Sequence, residues 1–353
     1  SCLSYSGVES NVGAATAALT LAAQRASLTS IDVCTEKDTK SRVIYRTKAG
    51  GTVYYKTTTL TNNVATTYTD NNADSTLVDF APIAADSIND NGKPVALKYL
   101  AIWKNRLFGA GSNANPSRLF FSDISSTGAE PESFPTNNFI DVNADDNQAV
   151  RGLFATKDSL FVFKENSVWE LTGSNKDNYS LVLVTNQLGT SSHLSLVEAH
   201  DVLYFVDKTR IWAFNEDAQF VEISKQIRDS LNDLSTKELQ SISEFNAFYD
   251  QIWFVLSAAT SWGTGKVAVY HLENGPAEGS WSVYTFKDSA GCDASAIKDL
   301  LWARATAAYW RFYIETTGGR ILRFSVDSSQ AIVLADETSC TIPATWQGRH
   351  YNQ

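Results

Sequence analysis

Methionine is absent from all 353 residues, so the sequence reads as a processed product or an excerpt of a longer chain. Basic residues are scarce as well: 29 Lys and Arg stand against 39 Asp and Glu, giving a formal net charge of −10. No Lys/Arg-rich segment offsets that balance, which argues against capture of a nucleic-acid backbone by charge. No apolar run approaches the ~18–20 residues needed to cross a bilayer, because the stretch around Ala14–Ala23 is short and broken by Thr. No segment reads as a basic, apolar, cleavable leader, and no membrane insertion is expected. The four cysteines, Cys2, Cys34, Cys292 and Cys340, show no C-x-x-C spacing, which excludes the usual zinc and thioredoxin motifs. They read as buried thiols, with a Cys2–Cys34 or Cys292–Cys340 disulfide as the alternative.

What is present points to strands. Aromatic residues make up 12% of the chain, set among abundant Ser, Thr, Asn and Asp, a mixture that favours strands joined by polar turns. The stretch Trp103–Asp123 repeats itself, with Arg106-Leu-Phe, a polar loop, then Arg118-Leu-Phe-Phe. The phrase returns as Asp158-Ser-Leu-Phe-Val-Phe, Asp201-Val-Leu-Tyr-Phe-Val, Asp250-Gln-Ile-Trp-Phe-Val and Tyr309-Trp-Arg-Phe-Tyr-Ile. A short turn and a second strand follow: Val168-Trp-Glu-Leu, Ile211-Trp-Ala-Phe, Val267-Ala-Val-Tyr and Ile321-Leu-Arg-Phe. The interval is roughly that of a four-stranded propeller blade with loop to spare. The first strand of each hairpin is apolar on both faces, whereas a two-layer sandwich leaves one face polar.

The expected fold is all-β: a propeller of about six blades over residues 95–346, preceded by an immunoglobulin or fibronectin type III-like β-sandwich at 1–80. Residues 81–94 read as a linker and 347–353 as a C-terminal extension. Ile223, Ile227, Leu231 and Leu234 fall at helical spacing, and Ser235-Thr-Lys-Glu238 reads as a capping box with Leu239 and Ile242 inward. A short helical insertion over 224–245 is therefore expected, packed on the propeller or meeting another subunit.

Two segments resemble a known family. Val43–Leu77 is similar to the second half of the fibronectin type III-like modules of phage tail proteins. Asn105–Gly173 carries Asn115-Pro-Ser-Arg-Leu, Ser122-Asp123, Pro131-Glu-Ser-Phe-Pro, an Asp-rich turn and Leu160-Phe-Val-Phe-Lys. In these words it resembles the propeller of tail nozzle, or tail tubular B-type, proteins of short-tailed bacteriophages. The likeness continues through Leu188-Gly-Thr to Ile223-Ser-Lys-Gln-Ile and weakens after about Asp288, so it covers about half the chain. It implies a structural virion protein of the tail, assembled in the host bacterial cytoplasm as a homo-oligomeric ring, usually a hexamer. The ring would meet portal and adaptor proteins and tail fibres or spikes, with DNA passing its lumen without specific binding. The family brings no catalytic residue and no cofactor. Arg106 and Arg118 are then expected to flank strands or meet neighbouring subunits rather than grip phosphate.

Candidate chemistry is sparse. Asp141, Asn143 and Asp145 place oxygen donors at alternate positions, as at the start of a calcium loop, but the sixth position is Asp146 instead of Gly and the twelfth is Gly152 instead of Glu. A polar turn is the competing reading. Gly263-Thr-Gly-Lys266 lacks the first Gly and the final Ser/Thr of a phosphate loop and reads as a hairpin loop. His193, His200, His271 and His350 sit in no catalytic motif. Glu130 and Glu132 lie in a Pro-bounded stretch where solvated carboxylates are the ordinary outcome, so a propeller glycosidase is the weakest alternative. Trp262, Trp281, Trp302 and Trp346 would stack on sugars if exposed, which keeps a carbohydrate-binding or host-recognition propeller as the main alternative.

Overall fold

The computed structural model describes residues 1–19, 25–83, 90–125, 128–130, 133–190, 192–208, 210–215, 219–231, 241–247, 249–256, 266–273, 279–286, 297–304, 310–316, 321–326, 332–335 and 341–347. The chain divides into two compact units, Ser1–Asp145 with Ser174–Asn178, and Asp146–Gly173 with Tyr179–Gln353.

The first unit begins with β1 (Cys2–Ser4), β2 (Ala26–Leu28), β3 (Thr39–Thr47), β4 (Tyr54–Leu60) and β5 (Tyr68–Asp70). They form a three-stranded sheet in the order β1-β3-β4 and a two-stranded β2-β5 ladder. The β3–β4 hairpin read from Gly50-Gly51 is present, and Gly50 takes φ +69°, where a side chain would strain the turn. Val43, Leu77, Ala81 and Pro82 are the only buried apolar side chains among the described residues up to 83. Polar clamps do much of the holding instead. Arg42, 2% exposed, donates to the carbonyls of Ile31, Asp32 and Ala65. Arg46 binds the carboxylates of Asp70 at 2.5 Å and Asp74 at 2.6 Å. Cys2 and Cys34 are joined in a disulfide, which corrects the reading of these two as buried thiols. A small module with little apolar core gains from such a cross-link. Cys292 and Cys340 lie outside the described residues.

The same unit holds the first four-stranded sheet, β6 (Tyr99–Trp103), β7 (Arg106–Ala110), β8 (Arg118–Phe121) and, after β9 (Asp123–Ser125) and β10 (Gly128–Glu130), β11 (Phe139–Asp141). The two Arg-Leu-Phe phrases are paired strands, Phe108 lying opposite Phe121. Trp103, Phe108, Leu119 and Phe121 form their buried side. Within 81–94, the buried Asp90 accepts from Asn11 Nδ2 at 2.7 Å and from the Thr136 amide at 2.6 Å.

The second unit repeats the four-stranded meander. The second meander is β12 (Val150–Ala155), β13 (Leu160–Lys164), β14 (Val168–Thr172) and β15 (Ser180–Thr185). The third is β16 (Val197–Ala199), β17 (Val202–Asp207), β18 (Arg210–Phe214) and β19 (Phe220–Glu222). The fourth is β20 (Ile242–Asn246), β21 (Gln251–Val255), β22 (Lys266–His271) and β23 (Ser280–Phe286), and the fifth β24 (Ile297–Arg304), β25 (Trp310–Thr316), β26 (Ile321–Val326) and β27 (Ile332–Ala335). The last strand, β28 (Thr341–Gln347), pairs with both β23 and β27 and fuses the fourth and fifth meanders into one nine-stranded sheet. Five meanders stand among the described residues, where the repeat suggested about six.

Apart from Arg118-Leu-Phe-Phe, which forms the third strand of the first meander, the recurring phrases fall on the second strands. The turns before β7, β17 and β21 use left-handed residues, Lys104-Asn105 (φ 45° and 59°), His200-Asp201 (51° and 61°) and Asp250 (53°). Such φ values suit two-residue hairpins, and Asn and Asp tolerate them best. Strands β13, β17 and β21 are buried at every position. Their alternate residues enter different cores. Leu203 and Phe205 pack with Phe161 and Phe163 of the second meander. Tyr204 and Val206 pack with Ile252, Phe254 and Tyr270 of the fourth. Trp253 and Val255 then face Phe312, Ile314 and Phe324 of the fifth.

Among the described residues, the helical part of the expected insertion lies at its start. Ser224–Ile227 forms a 3-10 turn that runs into α1 (Arg228–Leu231), and Ile223, Ile227 and Leu231 join the core shared by the third and fourth meanders. Residues 242–245, placed by the sequence reading in the helical insertion, belong instead to strand β20 (Ile242–Asn246), paired along β21. Period-two alternation and a partner able to take its backbone groups outweigh the helical spacing of two residues. Leu234 and the Ser235–Glu238 box lie outside the described residues.

Closing a loop of about 30 residues stabilises a module by roughly 3–4 kcal/mol. Cys34→Ser should therefore raise the exchange rates of the β3 and β4 amides by that free energy, and reductant should bring the parent protein to the same rates. Unchanged exchange in the variant would count against the disulfide as the module's main cross-link.

Candidate functional site

Two carboxylates of the acidic turn after β11, Asp141 and Asp146, are held in pairs within the chain. Asp141 receives Arg118 through Nε at 2.8 Å and Nη2 at 3.2 Å, and the guanidinium lies 3.7 Å from the Phe139 ring centre. Asn143 takes a left-handed turn conformation (φ 43°), and Asp145 is exposed in a 3-10 turn, Ala144–Asp146. Asp146 accepts the wholly buried Lys164 ammonium at 2.7 Å. Among the described residues no set of three or more His, Cys, Asp or Glu side chains is arranged to hold a metal ion. Arg106 is buried too, donating to the Ser122 carbonyl at 2.7 Å and facing Asp123 at 3.4 Å. Neither arginine is presented as a phosphate grip.

The other sequence candidates are dispersed. Glu130 ends strand β10, so the loop expected around it is in part a ladder with β9; Glu132, Trp262, Gly263–Gly265 and His350 lie outside the described residues. His200 meets Asp250 at 2.6 Å, and His271 touches Gln251 and Ser282. Trp281 is buried, its indole N–H bound to the Ile223 carbonyl at 2.8 Å, while Trp346 falls in β28. Trp302 is half-buried and lies parallel to Trp310 at 6.4 Å, and Trp310 is 52% exposed. The sequence reading did not single out Trp310.

A cavity of about 300 Å³ opens within the second unit, at the first strands of the meanders. Leu153 comes from β12, His193 from the 3-10 turn before β16, Ile242, Ser243 and Glu244 from β20, and Asp299 from β24. His193 Nδ1 accepts the Leu153 amide at 3.3 Å, and burial lowers the pKa of the ring, which keeps it neutral with its proton on Nε2. Ser243 Oγ donates to the Ser195 carbonyl at 2.8 Å. Burial raises the pKa of the Glu244 carboxyl; the Asp299 charge adds to the rise, and the amides of Phe245 and Trp302 oppose it. Asp299 accepts the Leu300 amide at 2.8 Å. Sequence reasoning missed this site, because Glu244 was assigned to a helix and Asp299 carries no motif. The usable signal was a charged residue on the first strand of a meander, the strand that lacks a neighbour on one edge.

Four-stranded antiparallel meanders with successive sheets packed face to face are the construction of a β-propeller, and the chain is an all-β protein of that type. No family model matches the sequence, and no curated protein matches it. Among solved structures it is similar to Hsv2 of Kluyvelomyces marxianus, at 10% identity and TM-score 0.39 over 64% of this chain and 57% of that one. It is also similar to the N-terminal domain of Nup159, at 10% identity and TM-score 0.37 over 73% and 63%. A third is the Nup133 β-propeller domain of Vanderwaltozyma polyspora, at 13% identity and TM-score 0.35 over 93% and 99%. The matches therefore span less than two thirds of the Hsv2 and Nup159 chains.

A further perturbed group tests the packing beside β17. Asp207 is 6% exposed, and burial pushes its carboxyl up to about 6, with Lys208 and the Gly189 amide drawing it back. Gly189 has no room for a side chain, since a Cβ would sit 2.2 Å from the Lys164 carbonyl oxygen. The native state holds the Asp207 proton more tightly than the unfolded chain, so this group's contribution is complete below about pH 4 and is lost as pH rises through about 6. Asp207→Asn should remove that decline and raise the unfolding free energy at neutral pH by up to about 2–3 kcal/mol, read as a higher urea midpoint. Parallel midpoint-versus-pH curves for variant and parent would contradict it.

Proposed function

We propose that this chain is a non-enzymatic structural and recognition protein of the β-propeller type, working through its surfaces rather than through a catalytic centre. The observation that carries the reading is the two-sided burial of β13, β17 and β21, which commits their side chains to holding sheets together and leaves edges and loops to meet partners. In its finer form the protein is a ring-forming component of a short phage tail, a nozzle or hub through which DNA is ejected. Support comes from Asn105–Gly173, whose family-like words fall on the first two meanders, and from the pairing of Arg106 with the Ser122 carbonyl and of Arg118 with Asp141, which suits a conduit of low adhesion to DNA. The fibronectin type III-like reading of residues 1–80 draws support from the β3–β4 hairpin beside a second small sheet. The purified chain should form rings by light scattering and negative-stain imaging and should be found in purified virions. A persistent monomer that is absent from virions would sink the ring.

One observation favours recognition of carbohydrate instead. Trp310 offers an exposed indole backed by the parallel Trp302 ring, an arrangement suited to stacking on a sugar face. A glycan array should then show reproducible binding that Trp310→Ala removes. Binding unaffected by that change would eliminate this reading.

A further inference from the structure

The fourth strands of the meanders are guarded against outside pairing, with one exception. β11 (Phe139–Asp141) and β19 (Phe220–Glu222) are three residues long and end in carboxylates, Asp141 bound by Arg118 and Glu222 by Arg210 and Arg228. β23 and β27 are both covered by β28. Short length, a charged end and a covering strand are devices that keep a sheet edge from pairing with another chain. β15 has none of the three. Ser180-Leu-Val-Leu-Val-Thr185 runs for six residues without charge, Pro or Gly. Its bulge lies near the far end, opposite Val168 and Trp169, and leaves 180–183 in regular register. β15 is the last strand of its sheet, and among the described residues no backbone–backbone hydrogen bond reaches its outer edge. Val182, 54% exposed, and Leu183, 42% exposed, point to opposite faces of the strand, so apolar surface is open on both sides of that edge.

The chemistry of the edge selects what covers it. An added strand must bring backbone donors and acceptors along its length and apolar side chains on both faces. A second β15 meets both demands. Paired antiparallel about a two-fold axis at Val182, it sets Val182 against the partner's Val182 and Leu181 against the partner's Leu183. Copies of a chain with net charge −10 repel one another over most of their surface. This strand carries no charge, and the turn leading into it holds Lys176 beside Asp177, so identical edges meet without like charges. The fold already uses the same construction internally, where β28 adds antiparallel to β23 and pairs Ala344–Gln347 with Val283–Phe286.

We propose that β15 is a self-association surface, at which two copies of this chain join edge to edge and merge their second meanders into one continuous sheet. A two-fold contact of this kind closes on itself and stops at two copies, unlike the head-to-tail contacts that build a ring. The inference goes beyond the structural role proposed above and does not depend on ring assembly.

The test is sedimentation velocity of the purified chain over a concentration series, with hydrogen exchange read at the β15 amides in the same samples. Expected are a reversible monomer–dimer equilibrium and protection of alternate amides between 180 and 184 that grows with the dimer fraction. Val182→Lys and Leu183→Lys each put a charge on one face of the edge. Each should weaken dimerisation at least about tenfold and return those amides to the exchange rates of the monomer. Both side chains are exposed, an unchanged melting temperature reports that the fold is kept, and either variant carries the test if the other is disturbed. Where the parent also forms rings, loss of β15 protection in the variants with the rings intact supports the proposal, and rings in which the β15 amides exchange freely overturn it. It is also overturned if the chain stays monomeric over the whole series or dimerises with those amides unprotected. Protection already present in the monomer, protection that accompanies a co-purifying second polypeptide, or variants that both dimerise like the parent would overturn it equally.

Discussion

Strand β17 sends Leu203 and Phe205 into one core and Tyr204 and Val206 into another, and the rest of the second unit depends on this division of a single strand between two neighbours. A strand buried on both faces cannot lie at the surface of a sandwich. Its sheet must be stacked between two others, and the same demand passes to β21, whose Trp253 faces onward to the fifth meander. Each fully buried side chain of this kind is worth about 1.5–3 kcal/mol. Four meanders stacked in sequence therefore share their largest stabilising term across three joint cores.

The constraint also decides where polar groups can go. Lys164 closes the otherwise apolar strand β13 and is tolerated there because Asp146 meets it at 2.7 Å; an unpaired ammonium at that depth would cost several kcal/mol. Asp207, at the end of β17, is only partly satisfied, and its raised pKa records the shortfall. Glu244 and Asp299 lie on first strands, where one edge has no partner strand, and there the fold can keep charge beside a cavity. The N-terminal strands follow a different logic. With few large apolar side chains to bury, they are held by the clamps of Arg42 and Arg46 and by the Cys2–Cys34 bond.

Much of this was legible in the amino-acid order. The all-β class, the meander repeat, the second strands and the Gly50-Gly51 hairpin follow from apolar runs placed just after Asp or Asn turns. Those turns carry the left-handed φ values that Asn105, Asp201 and Asp250 adopt. The failures have particular causes. Ile242 mimics part of a helical stripe, but a short apolar segment carries both periods, and only the waiting edge of β21 decides between them. The Cys2–Cys34 disulfide was named from the sequence only as the alternative to buried thiols, because it depends on a distance in space, 6.1 Å between Cα atoms, that spacing along the chain does not encode. The cavity draws on four separate segments, none with a motif. The way β28 joins the fourth and fifth meanders was equally invisible, because nothing local specifies which two edges a late strand will bridge.

The most direct measurement of the central claim is a pair of double-mutant cycles sharing strand β17. Phe205 lies 5.3 Å from Phe163 on one side, and Tyr204 lies 6.2 Å from Tyr270 on the other, measured between ring centres. Truncating each pair to alanine should give coupling energies of about 0.5–1.5 kcal/mol within each core. The crossed pair, Phe205 with Tyr270, should be additive to within about 0.5 kcal/mol. Additivity within both cores, or coupling between Phe205 and Tyr270 as strong as between Phe205 and Phe163, would contradict the assignment of one strand to two separate cores.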